Sequence, residues 1–206
     1  MKKHLHIKTI MLVLVIIFSF PIHALGQINW DKFENNPVIE SAPWSRAASF
    51  PVVIFEDDVF KMWFCGKDTM SNKCGIAYAE SMDGINWIID DKPVIYPGNP
   101  GEWDLHRYPG SIIRVNDTLK MWFIGSEDNG LTFAIGYAYY SEDSAKWILN
   151  PVPVLEKGGP GSWDDAFVNG PSVIYDGQTY HMWYFGWEGG SFSNPALVGY
   201  ASSQDG

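Results

Sequence analysis

Short apolar runs recur along this chain at a long, steady period, and turn residues separate them. Lys61-Met62-Trp63-Phe64-Cys65-Gly66 returns as Lys120-Met121-Trp122-Phe123-Ile124-Gly125 and as His181-Met182-Trp183-Tyr184-Phe185-Gly186, at spacings of 59 and 61 residues. Gly75-Ile76-Ala77-Tyr78-Ala79 returns as Ile135-Gly136-Tyr137-Ala138 and Val198-Gly199-Tyr200-Ala201. Trp30, Trp87 and Trp147 each precede a Pro-Val (Pro37-Val38, Pro93-Val94, Pro153-Val154), and Trp44, Trp103 and Trp163 form a fourth set. Runs this short, rich in aromatic and β-branched residues and bounded by Gly, Pro, Asn and Asp, predict strands, not helices.

Each repeat predicts four strands. Strand 1 covers 52–55, 111–115 and 172–175; strand 2 holds the Met-Trp run; strand 3 holds the Gly-Tyr-Ala run; strand 4 starts near Trp87 and its equivalents. Asn116-Asp117 and Asp176-Gly177 suit the tight hairpins joining strands 1 and 2. Four antiparallel strands per repeat at this period predict an all-β fold of the β-propeller type, with about three blades present. The blade repeats lie near 41–96, 97–156 and 157–206.

The ends fall out of step with the blades. Residues 28–39 match a strand 4, so they are expected to be the outer strand of a closing blade. The terminal Gln204-Asp205-Gly206 matches Met82-Asp83-Gly84, ahead of a strand 4. Three blades do not close a ring. The expectation is a truncated chain, with about two more blades beyond it.

Residues 1–26 read as a signal peptide: Lys2, Lys3 and Lys8, an apolar core from Ile10 to Phe20, then Pro21 and the small-x-small Ala24-Leu25-Gly26. The mature partial propeller is expected over 27–206, secreted or periplasmic, monomeric and off the membrane after cleavage. Removing the leader takes three of the 14 basic residues and leaves 11 against 24 acidic ones. That balance argues against nucleic acid, which needs clustered cations, and favours a neutral ligand or a cation. Cys65 and Cys74 lie nine residues apart. In an exported protein they predict a disulfide, placed across the hairpin as Ile124 and Phe133 would be.

Strand alternation puts the long segments 40–50, 97–109 and 157–170 at one end with 66–74, 125–133 and 186–196, and loops on a rigid scaffold carry function. Residues repeated in every blade are expected to be structural; unrepeated ones need another reason. Asp68, Glu127 and Glu188 form an acidic set after strand 2, and Asp104 and Asp164 follow repeated Trp residues. Asp165 is unrepeated, and Trp187 beside Glu188 replaces Lys67 and Ser126. Arg46, His106, Arg107 and Asn169 are unrepeated polar residues just before strand 1. Together with Trp187 they suit a sugar-binding rim.

Trp163-Asp164, then Pro171-Ser172-Val173-Ile174-Tyr175-Asp176-Gly177, the Met182-Trp183-Tyr184-Phe185-Gly186 run, and Gly199-Tyr200-Ala201-Ser202-Ser203 with Asp205-Gly206 resemble the five-bladed β-propeller glycoside hydrolases. That superfamily includes arabinanases, xylosidases, levanases and fructosidases, and the resemblance covers 28–206. It implies a five-bladed β-propeller and activity on O-glycosyl bonds of polysaccharide or oligosaccharide. Arabinanase-like members place an Asp directly before a Pro at the innermost strand. This chain has Phe50, Tyr108 and Gly170 there, so those acid or base roles do not carry over.

Glycoside cleavage needs two carboxyl groups across the bond, with the acid's pKa raised by its surroundings. The candidates are Asp165 and Glu188 as the preferred pair, then Asp104 and Glu127. Alternative readings are a non-catalytic carbohydrate-binding propeller and a protein-interaction propeller. No cofactor is expected; no loop matches a calcium motif, and no spacing suggests another metal site.

Overall fold

The computed structural model describes residues 30–127, 132–189 and 194–206. The leader expected over 1–26 lies outside the described residues. The chain divides into two compact units, 1–36 and 37–206. In the first, described residues 30–36 form no strand; the Asn36 N–H donates to the Phe33 carbonyl at 3.3 Å.

The second unit is an all-β propeller, in which each repeat forms one antiparallel sheet. The first blade is β1 (Ser45–Glu56), β2 (Val59–Asp68), β3 (Cys74–Ser81) and β4 (Ile88–Ile89). The second is β5 (His106–Val115), β6 (Thr118–Ser126), β7 (Phe133–Ser141) and β8 (Lys146–Leu149). The third has β9 (Phe167–Tyr175), β10 (Tyr180–Trp187) and β11 (Leu197–Ser203). No helix occurs among the described residues.

The hairpins follow from their turn residues. Asp57 and Asp58 have φ of 53° and 61°, and Asn116 and Asp117 have 49° and 63°. Left-handed backbone at both centres of a two-residue turn matches the twist of the flanking strands, and Asp and Asn tolerate it best among non-Gly residues. The repeated Pro-Val segments fold back on strand 3: the Val94 N–H donates to the Ile76 carbonyl at 2.9 Å and the Val154 N–H to the Ile135 carbonyl at 2.8 Å.

Blade contacts come from alternating strand faces. Trp63, Ile76 and Ile95 meet Ile112, Leu119, Met121 and Phe123 between the first two sheets. Trp122 and Ile135 meet Val168, Val173, Tyr180 and Met182 between the second and third. The repeated strand-2 tryptophan is thus buried where a following sheet covers it, at 2 % exposure for Trp63 and 1 % for Trp122, whereas Trp183 is 41 % exposed. The Trp44 set explains a second repeat. A Cβ on Gly66 would stand 2.4 Å from the Trp44 ring and one on Gly125 2.3 Å from Trp103, so the indole needs the glycine that closes each Met-Trp run.

Two expectations change. The inner strands start earlier than 52, 111 and 172, because each runs on through its proline by way of a bulge: register shifts fall between Ser49 and Val52, between Pro109 and Ser111, and opposite Trp183/Phe185. An extra residue at such a bulge keeps pairing on both sides while re-aiming side chains.

The second change corrects the expected disulfide. Cys65 pairs with Ile76 and Cys74 with Lys67, just as Ile124 pairs with Ile135 and Phe133 with Ser126. Strand β2 runs three residues past Cys65, to Asp68, before turning, and the Asp68 N–H to Lys73 carbonyl bond at 2.9 Å closes the loop there. The cysteines are diagonal, not opposite. Diagonal neighbours sit about 7–8 Å apart, beyond ordinary disulfide reach. Both are free and buried.

Candidate functional site

The bulges build the candidate site, because they lie at the same level on the inner strands of all three blades. Those strands adjoin: Ser111 Oγ of β5 accepts the Val173 N–H of β9 at 3.0 Å, and the Phe50 and Tyr108 rings of β1 and β5 lie 5.1 Å apart. The residue before the proline takes φ of 53° at Phe50 and 59° at Gly170. A bulky side chain in the left-handed region costs on the order of 1–3 kcal/mol and persists only where surroundings enforce it. At Gly170 a Cβ would meet the Phe185 ring at 2.4 Å, which requires glycine.

This geometry lays out an aromatic strip. Phe50 is 53 % exposed, Tyr108 lies beside it, and His106 stacks on Tyr108 at 6.5 Å. His106 Nδ1 accepts the Cys74 backbone N–H at 3.1 Å, which ties β5 to the first blade. Beneath the strip lie the two thiols. A hydrogen bond from Cys65, helped by Tyr108 and His106, holds the Cys74 thiol below the ordinary thiol range against the effect of burial. The same shared bond, with burial, pushes Cys65 up. Burial likewise raises the Tyr108 phenol. The sequence signal for this strip was the pre-proline position.

The carboxylates separate into two groups. Asp104 is buried at 4 % exposure, and its Oδ2 accepts the Arg107 Nε–H at 2.8 Å. Arg107 also donates from Nη1 to the Tyr96 carbonyl at 2.7 Å. Both residues therefore brace the loop before β5. Asp164 is the repeat equivalent of Asp104: it is buried and accepts from Ser162 Oγ at 3.0 Å and Tyr184 OH at 3.3 Å.

Asp165 behaves differently. Its Oδ2 accepts the Gly161 N–H at 2.8 Å and its Oδ1 the Gly189 N–H at 2.7 Å. Those bonds, Gly189 first, hold its carboxyl below the usual range. They also bring Asp165 against the turn that carries Glu188, whose own side chain is exposed. Glu127 is exposed at the matching place after β6.

The expected rim disperses in part. Arg46 Nη2 donates to Asn72 Oδ1. Trp187 Nε1 donates to the Asn194 carbonyl at 2.7 Å, and its ring packs 5.0 Å from Phe167. Through these contacts Trp187 ties the end of β10 to Asn194 and to β9. Asn169 stays half-buried on β9 beside Gly170, paired in register with Phe185. Among the described residues no group of His, Cys, Asp and Glu is arranged to hold a metal ion.

No protein-family model matches the chain. It is 31% identical over 178 residues to uncharacterized proteins of two Mycobacterium tuberculosis strains, a match that takes in 79% of this chain and 57% of theirs. The chain thus spans a little over half the length of the curated relatives it matches. Among solved structures it is similar to Zg3597, a family 117 glycoside hydrolase of Zobellia galactanivorans, at a TM-score of 0.65 and 16% identity over 77% of this chain and 52% of that one. It is similar to a glycosyl hydrolase from Bacteroides ovatus at 0.60 and 16% over 86% and 56%. A beta-1,2-mannobiose phosphorylase from Listeria innocua gives 0.60 and 17% over 76% and 44%. At such identities the likeness shows the fold: this chain shares the propeller of glycoside-processing enzymes.

Proposed function

We propose that this chain is part of an exported glycoside hydrolase, and that the bulged end of its inner strands binds a saccharide for cleavage near Asp165 and Glu188. The observation that carries this reading is the pair of backbone N–H bonds on Asp165, which keeps an ionised carboxylate on the turn that bears Glu188. Hydrolysis needs one carboxylate ionised, as base or nucleophile, and one carboxyl protonated, as acid. Asp165 suits the first role. Glu188 is the partner that would donate a proton to the leaving oxygen once bound sugar shields it from water. The exposed Phe50 ring, with Tyr108 and His106 behind it, offers a flat apolar face and polar edges for a sugar ring.

A second reading has its own support. The pre-proline positions carry Phe50, Tyr108 and Gly170 rather than carboxylates, which favours a propeller that binds carbohydrate without cleaving it. The two readings separate by experiment in the full-length protein. Hydrolysis predicts that Asp165→Asn and Glu188→Gln each lower turnover by roughly a hundredfold or more while oligosaccharide binding persists. Binding alone predicts no turnover in the parent protein and weakened binding in Phe50→Ala.

A further inference from the structure

At the opposite end of the blades, beside the 57–58 and 116–117 turns, a cleft of about 690 Å³ opens between the first and second sheets. The matching place between the second and third sheets holds only about 90 Å³. Two lining positions differ between the repeats. Tyr175 and Tyr180 stack at 4.5 Å in the narrow cleft, Tyr180 leans on Trp122 at 5.7 Å, and Lys120 sits over the Tyr180 ring at 4.6 Å. In the wide cleft the same positions are Arg114 and Leu119, which leave that space open.

The walls suit one class of ligand. The half-buried Tyr78 and Tyr140 form an aromatic floor backed by the buried Trp63 and Trp147, with ring spacings of 5.0 Å for Tyr78–Trp63, 6.1 Å for Trp63–Trp147 and 5.8 Å for Tyr140–Trp147. Glu80 and Asp90 stand at the mouth, and Tyr78 OH donates to Glu80. Of the cations that line the cleft, Arg114 and Lys61 are engaged by Glu56, which takes both Arg114 nitrogens at 3.0 and 2.8 Å and Lys61 at 3.5 Å, while Lys92 and Lys146 also stand in the wall. An aromatic floor edged by groups of both signs, carboxylate acceptors and lysine donors, matches the apolar face and the hydroxyl groups of a neutral pyranose or furanose ring. The cleft volume exceeds that of one sugar residue and falls in the ordinary range for small-molecule sites.

We propose that this interblade cleft is a second saccharide site, separate from the bulged end, which holds a neutral sugar unit against Tyr78 and Tyr140, above Trp63 and Trp147, by hydrogen bonds to Glu80 and Asp90. Partial burial, with Glu80 and Asp91 close by, disfavours a bare charge on Asp90 and raises its pKa. Hydroxyl donors arriving at that carboxylate relieve the same cost. The site does not depend on catalysis elsewhere, so it stands whether the propeller cleaves glycosides or only binds them.

The test follows the indole N–H signals of Trp63 and Trp147 in the full-length protein by NMR. The probes are the methyl glycosides of glucose, mannose, galactose, xylose and arabinose, with choline as a cationic control. The expected result is a saturable shift of these two signals with at least one glycoside. Leu119→Tyr, which copies the filled cleft, should abolish it, Asp90→Ala should weaken binding at least tenfold, and Asp165→Asn should leave it unchanged. Because Asp90 is exposed, its variant reports even if Leu119→Tyr folds poorly. Indole signals unmoved by every glycoside, moved by choline alone, or still moved fully in both cleft variants would overturn the proposal.

Discussion

The Asp165 carboxylate accepts the Gly189 backbone N–H at 2.7 Å, which binds the loop before β9 to the turn after β10. Gly189 has φ of 74° and follows Glu188 directly, so the bond anchors the backbone next to Glu188. Its repeat equivalents, Arg46 and Leu105, are not carboxylates. In the third blade, therefore, a carboxylate that the first two blades lack is held by backbone N–H groups against the turn that carries Glu188.

Arg107 is predicted to act in stability and not in sugar contact. Its guanidinium is 14% exposed and pairs with Asp104 at 6%. Removing one partner of a largely buried ion pair leaves the other without its counter-charge, at a cost of roughly 3 kcal/mol. Arg107→Leu should lower the unfolding free energy by about that amount, read as a lower urea midpoint at unchanged m, and saccharide affinity should be unchanged at temperatures where the variant is folded.

Gly170→Ala should destabilise the fold by more than the ordinary helix- or strand-level effect. The added Cβ meets Phe185 at 2.4 Å, and φ of 59° strains an L-residue. Backbone strain and overpacking together predict a loss of about 2–4 kcal/mol. Phe50→Gly, at the matching bulge with φ of 53°, should relieve strain instead, so the two variants are expected to move denaturant midpoints in opposite directions.

How much of this was legible beforehand follows the chemistry of each element. The hairpin turns could be read because Asn-Asp pairs state their own left-handed geometry, and the blade repeat because Trp63 and Trp122 recur at the position that packs between sheets. The bulges could not be read: a proline inside an apolar run looks like a strand start, and only the pairing of Ser49 with Cys65 shows the strand continuing behind it. The cysteine register failed for a related reason, since nothing in the residues 66–74 states how far β2 runs before it turns. Asp104 reads as a candidate acid and Arg107 as part of a sugar-binding rim, each separately, because their three-residue spacing meets in space only once the loop bends toward β5.

The thiols should behave as a free, protected pair. Alkylation in denaturant without reductant should modify both Cys65 and Cys74, while the native protein reacts slowly because the side chains are 2% and 7% exposed. A mass two protons lighter, with no alkylation, would show a disulfide and a different register from the one observed. Cys74→Ser should disturb His106 and Tyr108, detectable as a shifted His106 ring signal.

Acid should weaken the third blade at Asp176. Its carboxyl is held at about 2, chiefly by His181, with the Thr179 and Gln178 N–H groups adding to the effect, against 3.8 for a free Asp. A folded-state value below the unfolded one stabilises above the unfolded value, and this contribution is lost as pH falls through the folded one. Asp176→Asn should therefore lower the thermal midpoint at neutral pH, and the gap from the parent protein should close between pH 4 and pH 2.

The most direct measurement is sugar release from polysaccharide and aryl glycosides by the full-length protein, run beside Asp165→Asn with circular dichroism to confirm that both are folded. The account predicts that the parent protein releases sugar, and that the variant retains its spectrum and saccharide affinity while its rate falls by about two to four orders of magnitude, the usual worth of a positioned proton-transfer or nucleophilic carboxylate. Equal rates in the two proteins would contradict it and move the chemistry away from Asp165.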